Sequence, residues 1–287
     1  MKTYLECFPC FLRQALEAAQ LATDDKTTQR MVLNQVMFNL CRLNPHTSPP
    51  QIGHFIHKTV KELTHCFDPY KEIKAKHNRL TLKKYPELKK IVDGSRKPLL
   101  TAVKLAIVGN IMDPAAKGYF DLEKTQEKTL KADLTINHYR EFVQSLDNAS
   151  TILYLGDNAG EIVFDKILIE EIDKRDQGQE VYYAVRGEPI INDVTLNDAQ
   201  EVSMSEIAQV ISNGSDVPGT ILNSCSKNFL EVYRQADIII AKGQGNYESL
   251  SDEKDDRIYF LLQVKCPVIA RHIGVKVGST VLKQGGT

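Results

Sequence analysis

The chain has 287 residues, 42% of them hydrophobic and 25% charged, and a net charge of −1. That balance suits an ordinary globular protein whose core needs no disulfide support. Its longest apolar runs, such as Asp237–Ala241, fall far short of the ~18 residues that a membrane span requires, and the opening Met1-Lys2-Thr3-Tyr4-Leu5-Glu6-Cys7 has no apolar signal core, so a cytoplasmic protein with no membrane partner is expected.

Residues 1 to about 145 read as helical. Phe11, Leu12, Ala15, Leu16 and Ala19 fall at helical spacing, as do Val32, Leu33, Val36, Met37 and Leu40. Ser48-Pro49 reads as a cap with proline in the first turn, followed by the face Ile52, Phe55, Ile56, Val60 and Leu63. Further helices are predicted over Pro69–Lys84 and Pro98–Ile111. From about Thr151 the pattern changes to short apolar, β-branched runs. These are Thr151–Leu155, Glu180–Val185, Asp237–Ala241 and Ile258–Leu262, with an amphipathic helix over Ile162–Ile172 after the first. Buried strands alternating with helices indicate a largely parallel or mixed sheet in an α/β/α sandwich. The expected fold is therefore α/β, with a helical N-terminal domain (1–145) and a three-layer domain (146–287) that begins its sheet near Thr151.

Charge is divided along the same line. Residues 1–144 carry 23 Lys+Arg against 15 Asp+Glu, and residues 145–287 carry 13 against 22. The basic half is either a surface that draws anions toward an acidic site or a solvated, Lys-rich helix face. Few aromatics interleave the Lys71–Lys104 stretch, so nucleic acid is not an expected partner. Six cysteines, at 7, 10, 41, 66, 225 and 266, read as free thiols, metal ligands or redox groups. Cys7-x-x-Cys10 could join Cys41, Cys66 or His65 on a metal, or simply supply buried structural thiols. His54, His57 and His65 are either ligands or ordinary surface and core histidines, and His77-Asn78, in a Lys-rich helix, is a further pair that could face the site.

The chemistry gathers where strands end. Three runs are followed by Gly156-Asp157-Asn158-Ala159-Gly160-Glu161, by Arg186-Gly187 with Asn192-Asp193-Val194-Thr195, and by Lys242-Gly243-Gln244-Gly245-Asn246-Tyr247-Glu248. Ligands of open α/β sheets bind outside the carboxyl ends of the strands. Asp157, Asn158 and Asp193 are hard oxygen donors of the kind that hold magnesium or manganese. Lys242 offers a point charge for a phosphate. Gly243 and Gly245 let backbone N–H groups approach an anion, and the helix start after Gly160 offers more. One such loop alone reads as a helix cap or turn; three at successive strand ends read as a metal and anion site.

These segments resemble the signatures of the damage-control phosphatase (ARMT-like) family. Cys7-Phe8-Pro9-Cys10, Val108-Gly109-Asn110-Ile111-Met112-Asp113 and Ala132–Asn137 resemble its stand-alone microbial branch. The resemblance implies divalent-metal-dependent hydrolysis of small phosphate esters, such as sugar phosphates or damaged phosphometabolites. It implies Asp157, Asn158 and Asp193 as metal ligands, with Mn2+, Mg2+, Co2+ or Ni2+ as the ion. It implies Lys242 on the phosphate and Asp157 and Lys242 as the catalytic pair. Asn110, Arg186, Gly243, Asn246 and Glu248 are the expected substrate-binding residues, although Arg186 and Glu248, which sit in the motif loops, either orient substrate or pair structurally with an opposite charge. Water attack and an aspartyl-phosphate on Asp157 both remain open, although a metal-bound Asp is the poorer nucleophile. Two other functions compete. A carboxyl methyltransferase would call for a Gly-x-Gly nucleotide loop, which Gly156–Gly160 does not resemble. A non-catalytic metal or phosphometabolite sensor would use the same loops without turnover. The partner is a small phosphorylated metabolite; the sequence does not decide the oligomeric state.

Overall fold

The protein is described by a computed structural model over residues 1–44, 46–109, 133–175 and 178–287. Five helices open the chain: α1 (Cys7–Ala22), α2 (Lys26–Leu40), α3 (Pro49–Thr64), α4 (Lys71–Asp93) and α5 (Pro98–Gly109). The Asp25 side chain caps α2 by accepting from the Thr27 and Thr28 N–H groups. Before α3, Gln51 reaches back to the Ser48 N–H at 2.9 Å. Helix α4 runs past the expected end at Lys84 and through Pro86. An interior proline costs about 3 kcal/mol, and burial of Leu88 and Val92 beyond it returns about as much or more, at ~1.5–3 kcal/mol each. The expected end of α5 at Ile111 lies outside the described residues.

Next come β1 (Ile136–Asn137), α6 (Tyr139–Asn148), β2 (Thr151–Leu155), α7 (Ile162–Asp173), β3 (Glu180–Val185), α8 (Leu196–Glu201), β4 (Gln209–Ser212), α9 (Lys227–Gln235), β5 (Ile238–Lys242), α10 (Gly243–Leu250), β6 (Ile258–Gln263), α11 (Pro267–Ile273) and β7 (Thr280–Gln284). The sheet thus starts earlier than Thr151. β1 is only two residues long, too short for any period, and it exists because β7 offers it an edge.

The sheet is seven-stranded and mixed, in the order β1-β7-β6-β5-β2-β3-β4. All its pairs are parallel except β6–β7. The chain moves from β2 outward to β3 and β4, then returns to the other side of β2 for β5 and β6. The direction of winding reverses between β2 and β5, which is where doubly wound sheets bind ligands.

Strand alternation separates two cores. Ile152, Tyr154, Tyr183, Ile238, Ile240, Tyr259 and Leu261 face one side and pack with residues of α4, α5, α6 and α7. Leu153, Leu155, Ala184, Ile239, Ala241, Phe260 and Leu262 face the other, with residues of α1, α2, α3, α9, α10 and α11. The opening helices therefore contribute to both layers. Helix α7 is buried nearly all round, including Ile162, Val163, Phe164, Ile167, Leu168, Ile169 and Ile172. The amphipathic helix expected there is instead wedged between the sheet and α4–α5.

Candidate active site

The loops after β2 and β5 flank the switch point, and the loop after β3 is tied to the first. Val194 N donates to Asp157 O at 2.8 Å and Ala159 N to Asn192 O at 2.8 Å. Asn158 and Asp193 form an isolated antiparallel bridge. These bonds bring the sequence-distant Asp157, Asn158 and Asp193 together. Gly243 completes the other wall. Its φ of +78° is open to glycine, and a Cβ there would collide with the Asp157 carboxylate.

Charge is concentrated and buried. Asp157 is 6% exposed, Asp193 4%, and Glu161, Asp165 and Lys242 0%. The Lys242 ammonium lies 3.0 Å from Asp165 Oδ1 and 3.5 Å from Glu161 Oε2. Arg186 Nε donates to Asp193 Oδ2 at 2.7 Å. Burial, then the Glu161 and Asp193 charges, push the Asp157 carboxyl well above its usual range, with Lys242 and Arg186 opposing. Burial also raises Asp193, which the Arg186 partnership partly offsets. Burial alone would lower the Lys242 ammonium; Asp165, Glu161 and Asp157 outweigh it and hold Lys242 above its ordinary value.

Several expected residues occupy supporting positions. Arg186 is spent on Asp193, on Gly156 O at 3.3 Å and on Thr220 Oγ1 at 3.5 Å. Asn246 Nδ2 donates to Lys242 O at 2.7 Å and to Leu155 O and Gly156 O, while its Oδ1 accepts from Thr220 at 2.8 Å. It clamps the ends of β2 and β5 together. Glu248 stands apart: Gln244 Nε2 donates to it at 2.9 Å, and burial raises its carboxyl to about 7. Asn110 lies outside the described residues. The N–H groups at the start of α7 are less open than expected, since Gly160 N donates to Asn78 Oδ1 at 2.6 Å.

The sequence reading missed a fourth strand-end loop, 213–220 after β4. It brings Thr220 to Arg186 and Asn246 and the Gly219 N–H to Asp193. It also missed Glu161, Asp165, Tyr154 and Tyr183 as one network. A lone carboxylate in the apolar run Ile162-Val163-Phe164-Asp165 was the available signal. Among the histidines, His54 Nε2 meets Asp216 at 2.9 Å. His57 is buried against Tyr70, and His77 packs on Gly160. Cys7 is buried and Cys10 exposed. Among the described residues, no three His, Cys, Asp or Glu side chains form a ready-made metal cage; the expected oxygen set uses two carboxylates and an amide.

That set fits a divalent cation by charge. Four buried carboxylates (Asp157, Glu161, Asp165 and Asp193) face two buried cations (Lys242 and Arg186), an excess that a divalent ion would neutralise and that otherwise pushes Asp157 toward protonation. Asn158 now turns Nδ2 to Asp157 Oδ2 at 2.9 Å and to Glu161 Oε1 at 2.8 Å; to ligate through oxygen its amide would turn over.

Comparison with known proteins converges on one family. The sequence matches the damage-control phosphatase ARMT1-like domain over residues 3–281. A damage-control phosphatase of Pyrococcus horikoshii is 37% identical, over 98% of this chain and 97% of its own length. One of Archaeoglobus fulgidus is 36% identical, over 99% of both. A solved structure of a DUF89-family protein from Pyrococcus horikoshii superposes with a TM-score of 0.91 at 36% identity, covering 99% of each chain.

Proposed function

The chain belongs to the damage-control phosphatase ARMT1-like family, and from that premise we propose that it is a divalent-metal-dependent phosphatase of small phosphate esters, damaged phosphometabolites and sugar phosphates among them. The observation that carries the reading is a buried cluster of carboxylates beside a buried lysine at the reversal point of the sheet. Neither competing function is favoured: Asp157-Asn158 stands where a methyltransferase would need a nucleotide loop, and the relatives matched over nearly the whole chain are named as phosphatases rather than as binding proteins.

Asp157, Asp193 and the turned-over Asn158 would hold the ion, whether Mn2+, Mg2+, Co2+ or Ni2+. Such an ion supplies Lewis-acid polarisation of a phosphoryl oxygen and a more acidic water. Lys242 supplies a fixed positive charge for the phosphoryl oxygens. The first turn of α10, from Gly243 to Gly245, has N–H groups that the helix itself leaves unused. Gly243 brings that turn against Asp157. Arg186 and Asn246 act by holding Asp193 and the loop ends, and so support the site rather than touch substrate. Asn110 keeps its proposed substrate contact on resemblance alone. For Glu248, the Gln244 contact points to a role in α10. A cytoplasmic location agrees with the absence, among the described residues, of any helix long and apolar enough to cross a membrane.

The test is hydrolysis of a phosphometabolite panel after exhaustive chelation and then with each ion restored. Activity should vanish on chelation and return with metal. Asp157→Ala should abolish it. Lys242→Ala should lower turnover about a hundredfold while metal binding is retained. Hydrolysis that survives both chelation and Asp157→Ala would sink the reading.

A further inference from the structure

Asp165 has no part in the ligand set, yet two hydroxyls and an ammonium converge on it. It lies in the first turn of α7 and is fully buried. The Tyr154 hydroxyl donates to its Oδ1 at 2.8 Å and the Tyr183 hydroxyl to its Oδ2 at 2.9 Å. The Lys242 ammonium lies 3.0 Å from Oδ1. Tyr154 and Tyr183 are register partners on β2 and β3, with stacked rings 5.4 Å apart. Both hydroxyls therefore reach one carboxylate from the same sheet face. Lys242 arrives from β5, across β2, and takes Glu161 as its second carboxylate at 3.5 Å.

A lysine head is a point charge on a flexible four-carbon stem. Alone it would not keep one direction. Here Asp165 fixes it from a helix, and Asp165 is itself fixed by two neutral donors that add no competing cation. A buried ion pair of this kind adds little to stability over a well-packed apolar trio, so its place beside the crevice calls for another explanation. Both carboxylates pair with the ammonium as ions, while among the described residues its buried Nζ donates no hydrogen bond, so its N–H groups are left for an anion. We propose that Asp165, braced by Tyr154 and Tyr183, is the positioning residue that aims the Lys242 ammonium at the phosphoryl group; this rests on the phosphatase reading above.

The test is a double-mutant cycle on the metal-loaded, full-length protein, read by inorganic phosphate binding in calorimetry and by ester turnover. Asp165→Asn should weaken phosphate binding about tenfold or more and lower kcat toward the level of Lys242→Met, with the Mn2+ binding constant unchanged. In a Lys242→Met background the same change should add no further loss of turnover, because Asp165 acts through the lysine. If Asp165→Asn does not fold, Tyr154→Phe with Tyr183→Phe takes its place, with the same expectation in both backgrounds. Wild-type phosphate binding in a folded Asp165→Asn or double-Phe variant overturns the proposal. So does a loss that persists undiminished in the Lys242→Met background, or a wild type that does not bind phosphate. Phosphate binding that follows the cycle in a protein hydrolysing no ester would leave the positioning role standing and remove the phosphatase reading.

Discussion

At the scale of single residues, two glycines with similar backbones separate strain from function. Gly243 and Gly274 have φ of +78° and +83°, but a Cβ at Gly243 runs into the Asp157 carboxylate, whereas nothing lies within 4 Å at Gly274. Each Gly→Ala change should cost about 1–2 kcal/mol in backbone strain. Only Gly243→Ala should also displace Asp157 and cut turnover by tenfold or more. Urea unfolding and phosphatase assays on the pair will show whether the two losses part company. His57 gives a pH signature. Burial, then the Lys61 and His54 charges, lower it to about 3, so from pH 6.5 down to 3 the unfolded chain binds a proton that the folded chain refuses. Stability should therefore fall with acid, at up to about 1.4 kcal/mol per pH unit in that window. In His57→Gln the unfolding midpoint should lose that part of its pH dependence. Residue type announced the charges at the site but not their directions. Arg186, by its place in a motif loop, and Asn246, by the family resemblance, read as candidate ligands for substrate. Their acceptors, Gly156 O and Leu155 O among them, lie in segments remote in sequence, and nothing local in the sequence selects those acceptors over a phosphate.

At the scale of elements, α4 is the brace of the Asp157–Glu161 loop. Asn78, fully buried, accepts from Gly160 N and donates to Asp198 Oδ1 at 3.2 Å and Glu201 Oε2 at 2.8 Å. Asp198 also accepts from the Thr195 N–H and hydroxyl at the start of α8. One side chain thus joins α4 to the start of α7 and to α8. Asn78→Ala leaves a buried N–H without its acceptor, at a cost of about 1–3 kcal/mol. Thermal unfolding should shift down accordingly, and turnover should fall because the Asp157–Gly160 turn is loosened. The strands that positioned the expected loops were legible because they are largely buried and so read as nearly continuous apolar runs. β4 was not. Its Gln209-Val210-Ile211-Ser212 is an edge strand, exposed or half-buried along its length, too short and too polar for its period to stand out. The loop it delivers to the site was lost with it.

At the scale of the whole molecule, the helices before residue 145 and the sheet after it share their cores. Val32, Val36, Ile52, Ile56 and Val60 from α2 and α3 lie in one cluster with Leu153, Ile239, Phe260 and Leu262. Leu88, Val92, Ala102, Val103 and Ala106 from α4 and α5 lie with Tyr154, Ile167 and Tyr259 in the other. The sequence pattern changes near residue 145 because the sheet begins there in earnest, yet the packing crosses that point on both faces. A 146–287 fragment should therefore fail to give a cooperative unfolding transition, and co-expression with 1–145 should restore one. Independent, cooperative folding of the fragment in calorimetry would establish two separable domains.

The pairing of β2 with β5 has a consequence in time. These neighbours at the heart of the sheet are drawn together across a separation of 86 residues, as in the Thr151–Asp237 contact, and such long loops close slowly. Asp157 and Lys242 stand at the far ends of these two strands, so neither wall of the crevice has its opposite until that late closure occurs. A chain emerging from denaturant should show helical ellipticity well before it can hold an anion. The capacity to act on phosphate would then be among the last properties this fold acquires and, on unfolding, among the first it gives up.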